Sequence, residues 1–327
     1  MFFRNLVIFR YPRSINPALA ALEERLAEHP LNPVGPLELG SRGFVPPMGG
    51  DTTAFVIQHP DAYWITLGAE DKLLPAAVVN DALAKRLADI EAREGRKLGG
   101  RARKQLKDDL IHELLPKAFV KSSRTSALIL PRLGYVLVDT SSRKRAESVV
   151  SEIRHALGSF PAIPVNAEVS VRATLTHWLV NGTPEGSYND GDLEGPGWLF
   201  LGDECVLVDP VDGGAVVRAQ RQELQADEIT KHLETGKQVK RLALTLDDHV
   251  EFTLDEDLVI RKVKLLDGAM EGLEDAERES LADELAARLA LFTGEVTALL
   301  GVLDRELRFS ACDDGPSTER GVSGGSA

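Results

Sequence analysis

The chain has 327 residues, is 43% hydrophobic and carries a formal net charge of -13 at pH 7. That size and apolar content exclude wholesale disorder and leave room for two or three domains, or one elongated body with subdomains. No run of 18 or more apolar residues is present, so nothing is expected to span a membrane.

The opening, MFFRNLVIFRYPRS, is interrupted by Arg4 and Arg10 and reads as a buried first strand over 5–11 rather than a signal peptide. Asn16 and Pro17 form an N-cap and first-turn pair for a helix carrying Leu19, Leu22 and Leu26. Pro30 to Asp51 is rich in Pro and Gly and reads as irregular. Residues 54–58 and 63–67 read as a hairpin around the turn HPDA. From Pro75 the period lengthens. Val79, Leu83, Leu87 and Ile90 mark one helical face, Gly99-Gly100 interrupts, and Leu106, Leu110 and Leu114 mark a second helix stopped by Pro116. This pair predicts a helical arm at about 76–118.

A second hairpin is expected at 126–130 and 135–139. Ser141 or Ser142 then caps a helix carrying Ala146, Val149, Val150, Ile153 and Leu157, closed by Gly158. Residues 181–214 are Gly- and Asp-rich and read as a subdomain seam or exposed loop. Beyond them come a strand near Val216, a helix over 227–234 backed by Gly236, and strands near 238–246, 250–254 and 258–266. Helices over 274–291 and 294–308 follow, and the tail DDGPSTERGVSGGSA reads as disordered. Hairpins mixed with helices, rather than alternating βαβ units, give the fold class α+β. The expected domains are 1–170, which includes the arm, and 171–310, with a tail over 311–327.

Charge is segregated along the chain. Residues 93–124 hold ten Lys or Arg against four Asp or Glu, whereas 173–217 hold no base at all. A basic stretch inside an acidic protein makes a focused positive surface whatever the total charge. The alternative for that stretch is a solvated helical face.

Enzyme motifs fail one by one. Thr235-Gly236-Lys237 suggests a phosphate-binding loop, but such a loop needs glycine where this chain has Lys231. Asp247, Asp248 and His249 fall between strand-like runs, where acidic turn residues are ordinary and no ligand set converges. Ser141 and Ser142 with Lys144 loosely resemble a serine–lysine pair, which helix capping explains more simply. Cys205 and Cys312 lie far apart, neither in a CxxC pair, which excludes a cysteine zinc site and fits a reducing cytoplasm.

Eight phrases occur in a familiar order: GFVPPMG (43–49), KLLPAAVVNDAL (72–83), ELLPKAF (113–119), ALGSFPAIPV (156–165), LTHWL (175–179), GGAVVRAQRQEL (213–224), EITKHLETGKQVKRLAL (228–244) and TGE (293–295). In order and spacing the chain resembles the recombination-associated RdgC family over about residues 2–305. The resemblance implies an elongated subunit closing into a ring-shaped homodimer around double-stranded DNA. It implies binding without sequence preference, single-stranded DNA as a secondary ligand, and restraint of the recombinase RecA by competition for DNA. It implies no cofactor, no catalysis and a cytoplasmic, nucleoid-associated location. The acidic segment near 183–212 looks longer than in the family, and the tail has no counterpart.

Carried onto this sequence, the family's DNA-related positions are Arg96, Lys117, Arg221, Gln222 and Lys237. Lys97 and Arg101 of the same basic stretch complete the expected DNA-binding set, and Phe119 is the expected dimer-closing residue. Each has a simpler reading. Phe119 follows a helix-ending proline and suits a core. Lys237 follows a glycine-terminated helix, whose dipole favours a base. Gln222 bonds backbone as readily as phosphate. Two rival functions remain beside this reading: a regulator that binds the recombinase directly, and a metal-dependent nuclease acting on DNA it holds.

Overall fold

A computed structural model of the chain describes residues 3–49, 52–184, 188–190, 193–195, 198–211, 214–274 and 281–311. In chain order its elements begin with β1 (Leu6–Arg10), α1 (Asn16–Leu19), α2 (Leu22–Ala27), β2 (Gly40–Phe44), β3 (Val56–His59) and β4 (Ala62–Leu73). Next come α3 (Ala76–Glu94), α4 (Gly100–Leu114), β5 (Phe119–Leu130), β6 (Tyr135–Asp139), α5 (Arg143–Leu157), β7 (Ile163–Pro164) and α6 (Val171–Asn181). The rest are β8 (Tyr188–Asp190), β9 (Leu193–Gly195), β10 (Leu199–Val208), β11 (Val216–Gln220), α7 (Asp227–Glu234), β12 (Gln238–Leu246), β13 (Val250–Asp255), β14 (Ile260–Leu265), α8 (Asp267–Glu274) and α9 (Leu281–Leu307). The class is mixed α+β, built on a large antiparallel sheet.

Two compact units divide the chain. One contains Met1–Leu22, Ile57–Trp64 and Ser126–Ala327; the other contains Glu23–Val56 and Ile65–Thr125. The chain passes between them four times, at Leu22/Glu23, at Val56/Ile57, within β4 at Trp64/Ile65 and within β5 at Thr125/Ser126. The boundary expected at 170/171 falls inside the first unit, at the Ser170 cap of α6. The expected arm falls inside the second.

In the first unit the strand order is β11-β10-β12-β13-β14-β1-β6-β5. Alternation, shifted by one residue at the irregularity opposite Val206 and Leu207, decides which side chains join the main core. In β12, Val239, Leu242, Leu244 and Leu246 are buried, while Arg241 and Thr245 are half-buried. The covered side joins one core with α6 and α9, through Leu175, Trp178 and Leu179 of the former and Phe292, Val296, Leu299, Leu303 and Leu307 of the latter. Each such aliphatic side chain contributes about 1.5–3 kcal/mol when fully buried. Thr176 docks α6 by accepting a hydrogen bond from the Val239 amide at 2.9 Å. By length and composition Asp283–Leu307 is apolar enough to cross a membrane, but its apolar side is spent on this core.

Three acids at the β13–β14 turn gather bases from four other elements. Asp255, almost wholly buried, accepts from Arg241 at 2.6 Å and from Arg261 at 3.3 Å. Glu256 accepts from Arg172 and lies 3.3 Å from Lys240. Asp257 lies 3.8 Å from Arg143.

In the second unit β2 pairs antiparallel with β4, from Gly40 opposite Asp71 to Phe44 opposite Leu67. A Cβ at Gly43 would stand 2.4 Å from the Pro30 backbone, so only glycine lets the Pro30 segment cross here. That crossing puts a strand inside the stretch read as irregular.

Other expectations need correction. Asn16 is not an N-cap: it is the first residue of α1, and its side-chain Nδ2 donates to the Pro131 carbonyl at 2.9 Å. The two C-terminal helices are not split at 291–294. Leu281–Leu307 runs unbroken through Gly294, because its apolar spacing outweighs one glycine, at about 1 kcal/mol. The seam expected over 181–214 contains β10, a ten-residue strand at the centre of the sheet's β11-β10-β12 end, although residues 185–187, 191–192, 196–197 and 212–213 of that stretch lie outside the described residues. The expected disordered tail from 312 onward, with Cys312, also lies outside them.

Candidate nucleic-acid interface

The basic stretch folds as α3, a short link and α4. Val79 and Leu83 of α3 and Leu110 of α4 are buried, and Arg86 bridges the helices to Glu113 at 3.0 Å. Gly95 closes α3 at φ 68, a left-handed conformation that glycine adopts without strain. Glycine is needed there and not at 99 or 100, where a Cβ would meet nothing.

Arg96 and Lys97 project from the link, with side chains 76% and 84% exposed. Neither is unoccupied. The Arg96 Nε–H donates to Glu94 Oε2 at 3.0 Å, and Lys97 Nζ lies 3.9 Å from Glu91 Oε1. Arg101, on the first turn of α4, is exposed and makes no ion pair with a described acidic residue. The same holds for Arg103 and Lys104, which the residue-by-residue reading left out although the basic run contained them. These bases stand at the positive end of the α4 dipole, with no acid in the first turn and a glycine N-cap that offers no side-chain bond. Glu91 and Glu94 stand at the negative end of α3. Each charge so placed costs about 0.3–1 kcal/mol of helix stability. The arrangement spends stability and concentrates uncompensated positive charge on one helix end.

Lys117 and Phe119 sit past the other end of α4, about 22 Å away along its fifteen residues. Lys117 is exposed in a single turn around Pro116. Phe119 opens β5 with 83% of its surface exposed, so the core reading of this aromatic is wrong. Val120, Leu73, Leu37 and Leu39 are exposed as well. Lys72 ties their segments together: Nζ donates to the carbonyls of Pro36 at 2.6 Å and Leu115 at 3.0 Å, and its amide donates to Leu39 at 2.8 Å. Segments joined through Lys72 thus carry several exposed apolar side chains, Phe119 the most exposed of them.

The remaining three residues lie in the first unit. Arg221 follows β11 at φ 57, an uncommon conformation for arginine, and with Gln222 it lines an open cleft of about 730 Å³. Asp203, Glu223 and Glu251 line the same cleft, so its field is mixed. Lys237, half-buried, follows Gly236 and donates to Thr235 Oγ1 at 3.5 Å. The register sets Val208 of β10 opposite Gln238 and Glu204 opposite Gln220. Extended by one residue at each end, the ladder puts Arg221 level with Asp203 and Lys237 level with Asp209, so the two stand about 20 Å apart along β10. Arg218, exposed on β11 between them, was missed; its period-two alternation with buried Ala219 was the available signal.

The chain also matches known proteins. A family model described as "Putative exonuclease, RdgC" matches residues 1–309. A Recombination-associated protein RdgC of Xanthomonas campestris pv. campestris (strain B100) is 53% identical over 316 residues, covering 96% of this chain and all of the relative. One of Xanthomonas axonopodis pv. citri (strain 306) is 52% identical over the same share, and one of Xylella fastidiosa (strain M23) is 50% identical over 315 residues. The chain belongs to the RdgC family. The RdgC match ends where the described fold does: Phe309 bridges Ala167, and the Ser310 amide donates to Asn166 at 2.8 Å.

Other candidate chemistry in this RdgC chain resolves structurally. Ser142 caps α5, its Oγ accepting from the Arg145 amide at 3.4 Å. His249 Nδ1 lies 2.9 Å from Glu295 Oε1, and Asp247 turns the β12–β13 hairpin at φ 45 with its carboxyl pushed up by burial. Among the described residues no group of three His, Cys, Asp or Glu is placed to hold a metal ion. Cys205 is buried, which pushes its thiol up to about 11 and leaves it inert.

Proposed function

We propose that this protein closes as a homodimeric ring around double-stranded DNA, contacts phosphates rather than bases, and limits recombinase (RecA) access by occupying the DNA. The observation that carries the reading is the end of α4: Arg101, Arg103 and Lys104, exposed and without a described acidic partner, beside Arg96 and Lys97, in a chain of net charge -13. Lysine and arginine neutralising phosphates release counterions whatever the base sequence, so such a surface binds non-specifically. Lys117 on the same unit, and Arg221, Gln222 and Lys237 on the other, are the further phosphate contacts of this reading. Phe119 and the other exposed apolar side chains on the segments joined through Lys72 support self-association, because apolar surface of this kind is covered by a partner. The relatives' name, recombination-associated, agrees with a DNA ligand. Action by binding alone, in the nucleoid of the cytoplasm, completes the proposal.

The test is titration of protein of checked solution mass with two unrelated duplexes across a salt series. Equal affinities, with log K falling by about 0.9 per log salt for each phosphate neutralised, support the reading. No binding at low salt overturns it and leaves the basic stretch a solvated face. Inhibition of recombinase filaments that persists with DNA in large excess would favour direct binding to the recombinase. The family description favours one further reading, an exonuclease; Mg²⁺-dependent shortening of an end-labelled duplex would support it.

A further inference from the structure

Arg96 and Lys97 are already held by anions that the chain supplies itself. Glu94 and Glu91 occupy them from the last turn of α3, 3.0 Å and 3.9 Å away. All four side chains are solvent-exposed, with Glu94 and Glu91 at 47% and 51%. Nothing in the helix asks for acids at that end, where its own dipole is negative. A carboxylate on an arginine Nε–H makes the same charge-assisted hydrogen bond that a phosphate oxygen makes.

We propose that Glu91 and Glu94 are built-in phosphate surrogates that restrain the DNA contacts of Arg96 and Lys97. This rests on the DNA-binding reading above and adds a regulation to it. In the free protein the two bases are paired. On duplex DNA each base exchanges its carboxylate for a phosphate oxygen, and the displaced carboxylate returns to water. Binding through Arg96 and Lys97 is therefore an exchange, weaker than binding through Arg101, Arg103 and Lys104, which pair with no described acid. The exchange also leaves two acids near the DNA, which speeds release. The pairs are exposed and individually weak, so the restraint is reversible at ordinary salt.

The experiment is a double-mutant cycle on the full chain, read by fluorescence anisotropy with two unrelated fluorescein-labelled duplexes at low and moderate salt. Wild type is measured first. Failure to bind either duplex overturns the DNA-binding reading itself. Given binding, Glu91→Gln with Glu94→Gln should tighten it by about two- to tenfold, an amount matching two exposed pairs. In an Arg96→Ala, Lys97→Ala background the same Gln pair should change affinity little. A gain of equal size in both backgrounds would mean general repulsion and would overturn the proposal, as would no gain. Asp108→Asn on α4 removes one charge from an exposed acid with no described ion-pair partner, and it should give a smaller gain than Glu94→Gln alone. A gain as large would also count against it. Circular dichroism and solution mass check that each variant keeps its fold, and Glu94→Gln alone supplies a second, milder variant.

Discussion

The β13–β14 turn of the first unit and the α3–α4 link of the second use the same chemistry to opposite ends. At the turn, Arg241 and Arg261 converge on a carboxylate buried to 3% exposure, and Arg172 and Lys240 converge on Glu256. At the link, bases either face exposed acids or face water. A base fixed to a buried acid holds a fold together; a base without one is available to an anion from outside. Counting arginines along the chain does not separate the two. Burial of the partner carboxylate does.

That contrast can be broken at either end. The largest effect is expected at the turn. Asp255→Asn leaves Arg241 and Arg261 without their shared carboxylate and should cost roughly 3 kcal/mol in urea unfolding, with duplex affinity per folded molecule unchanged. At the link the pattern inverts. Replacing Arg101, Arg103 and Lys104 together with alanine should leave unfolding unchanged or slightly improved, since bases leave a positive helix end. Duplex affinity should fall about tenfold or more, and the salt slope should flatten by roughly 0.9 per lost contact. A stability loss there, or a loss of affinity at Asp255, would erase the distinction.

Phe119→Ser sharpens it on the apolar side. An aromatic ring 83% exposed contributes little to folding, so the midpoint of unfolding should hold while solution mass drops towards the protomer. Unchanged mass would remove Phe119 from the interface. The smallest effect is expected at Asp247→Asn. Burial raises the Asp247 carboxyl above its unfolded value, so ionising it costs stability above that raised value. The amide removes the cost and suits φ 45. A small gain in stability at neutral pH should vanish as pH falls through the carboxylate range. A gain independent of pH would assign the effect to backbone alone.

Much of the fold was legible where one period ran uninterrupted. Helix α5, with Ser142 before it and Gly158 after it, matched its expected span closely, and β12 was read to the residue. Helix α6 was missed, although Ser170 caps it and Val171, Leu175, Trp178 and Leu179 share its buried face. Strand β10 was missed because the Gly and Asp residues around it imitate a loop, and because its bulge between Leu201 and Cys205 breaks the alternation. Of the candidate site, the basic stretch was visible as charge. The acids that occupy Arg96 and Lys97 were not, because pairing at the link depends on where Gly95 turns the chain. The exposure of Phe119 was equally hidden, since sequence gives a residue's type and not its cover.

One pairing described above governs how this protein can be made. Leu6 of β1 stands opposite Asp139 and Ile260, so a strand made early borders strands from the middle and the late part of the chain. At about 5–20 residues per second, β1 waits roughly 10–50 seconds for β14, with β6 and β7 made in between. Until β14 is made, the Leu6 end of its buried run LVIF keeps one side unpaired. Slower synthesis lengthens that exposure, which makes expression rate and chaperone supply levers on the yield of native chain.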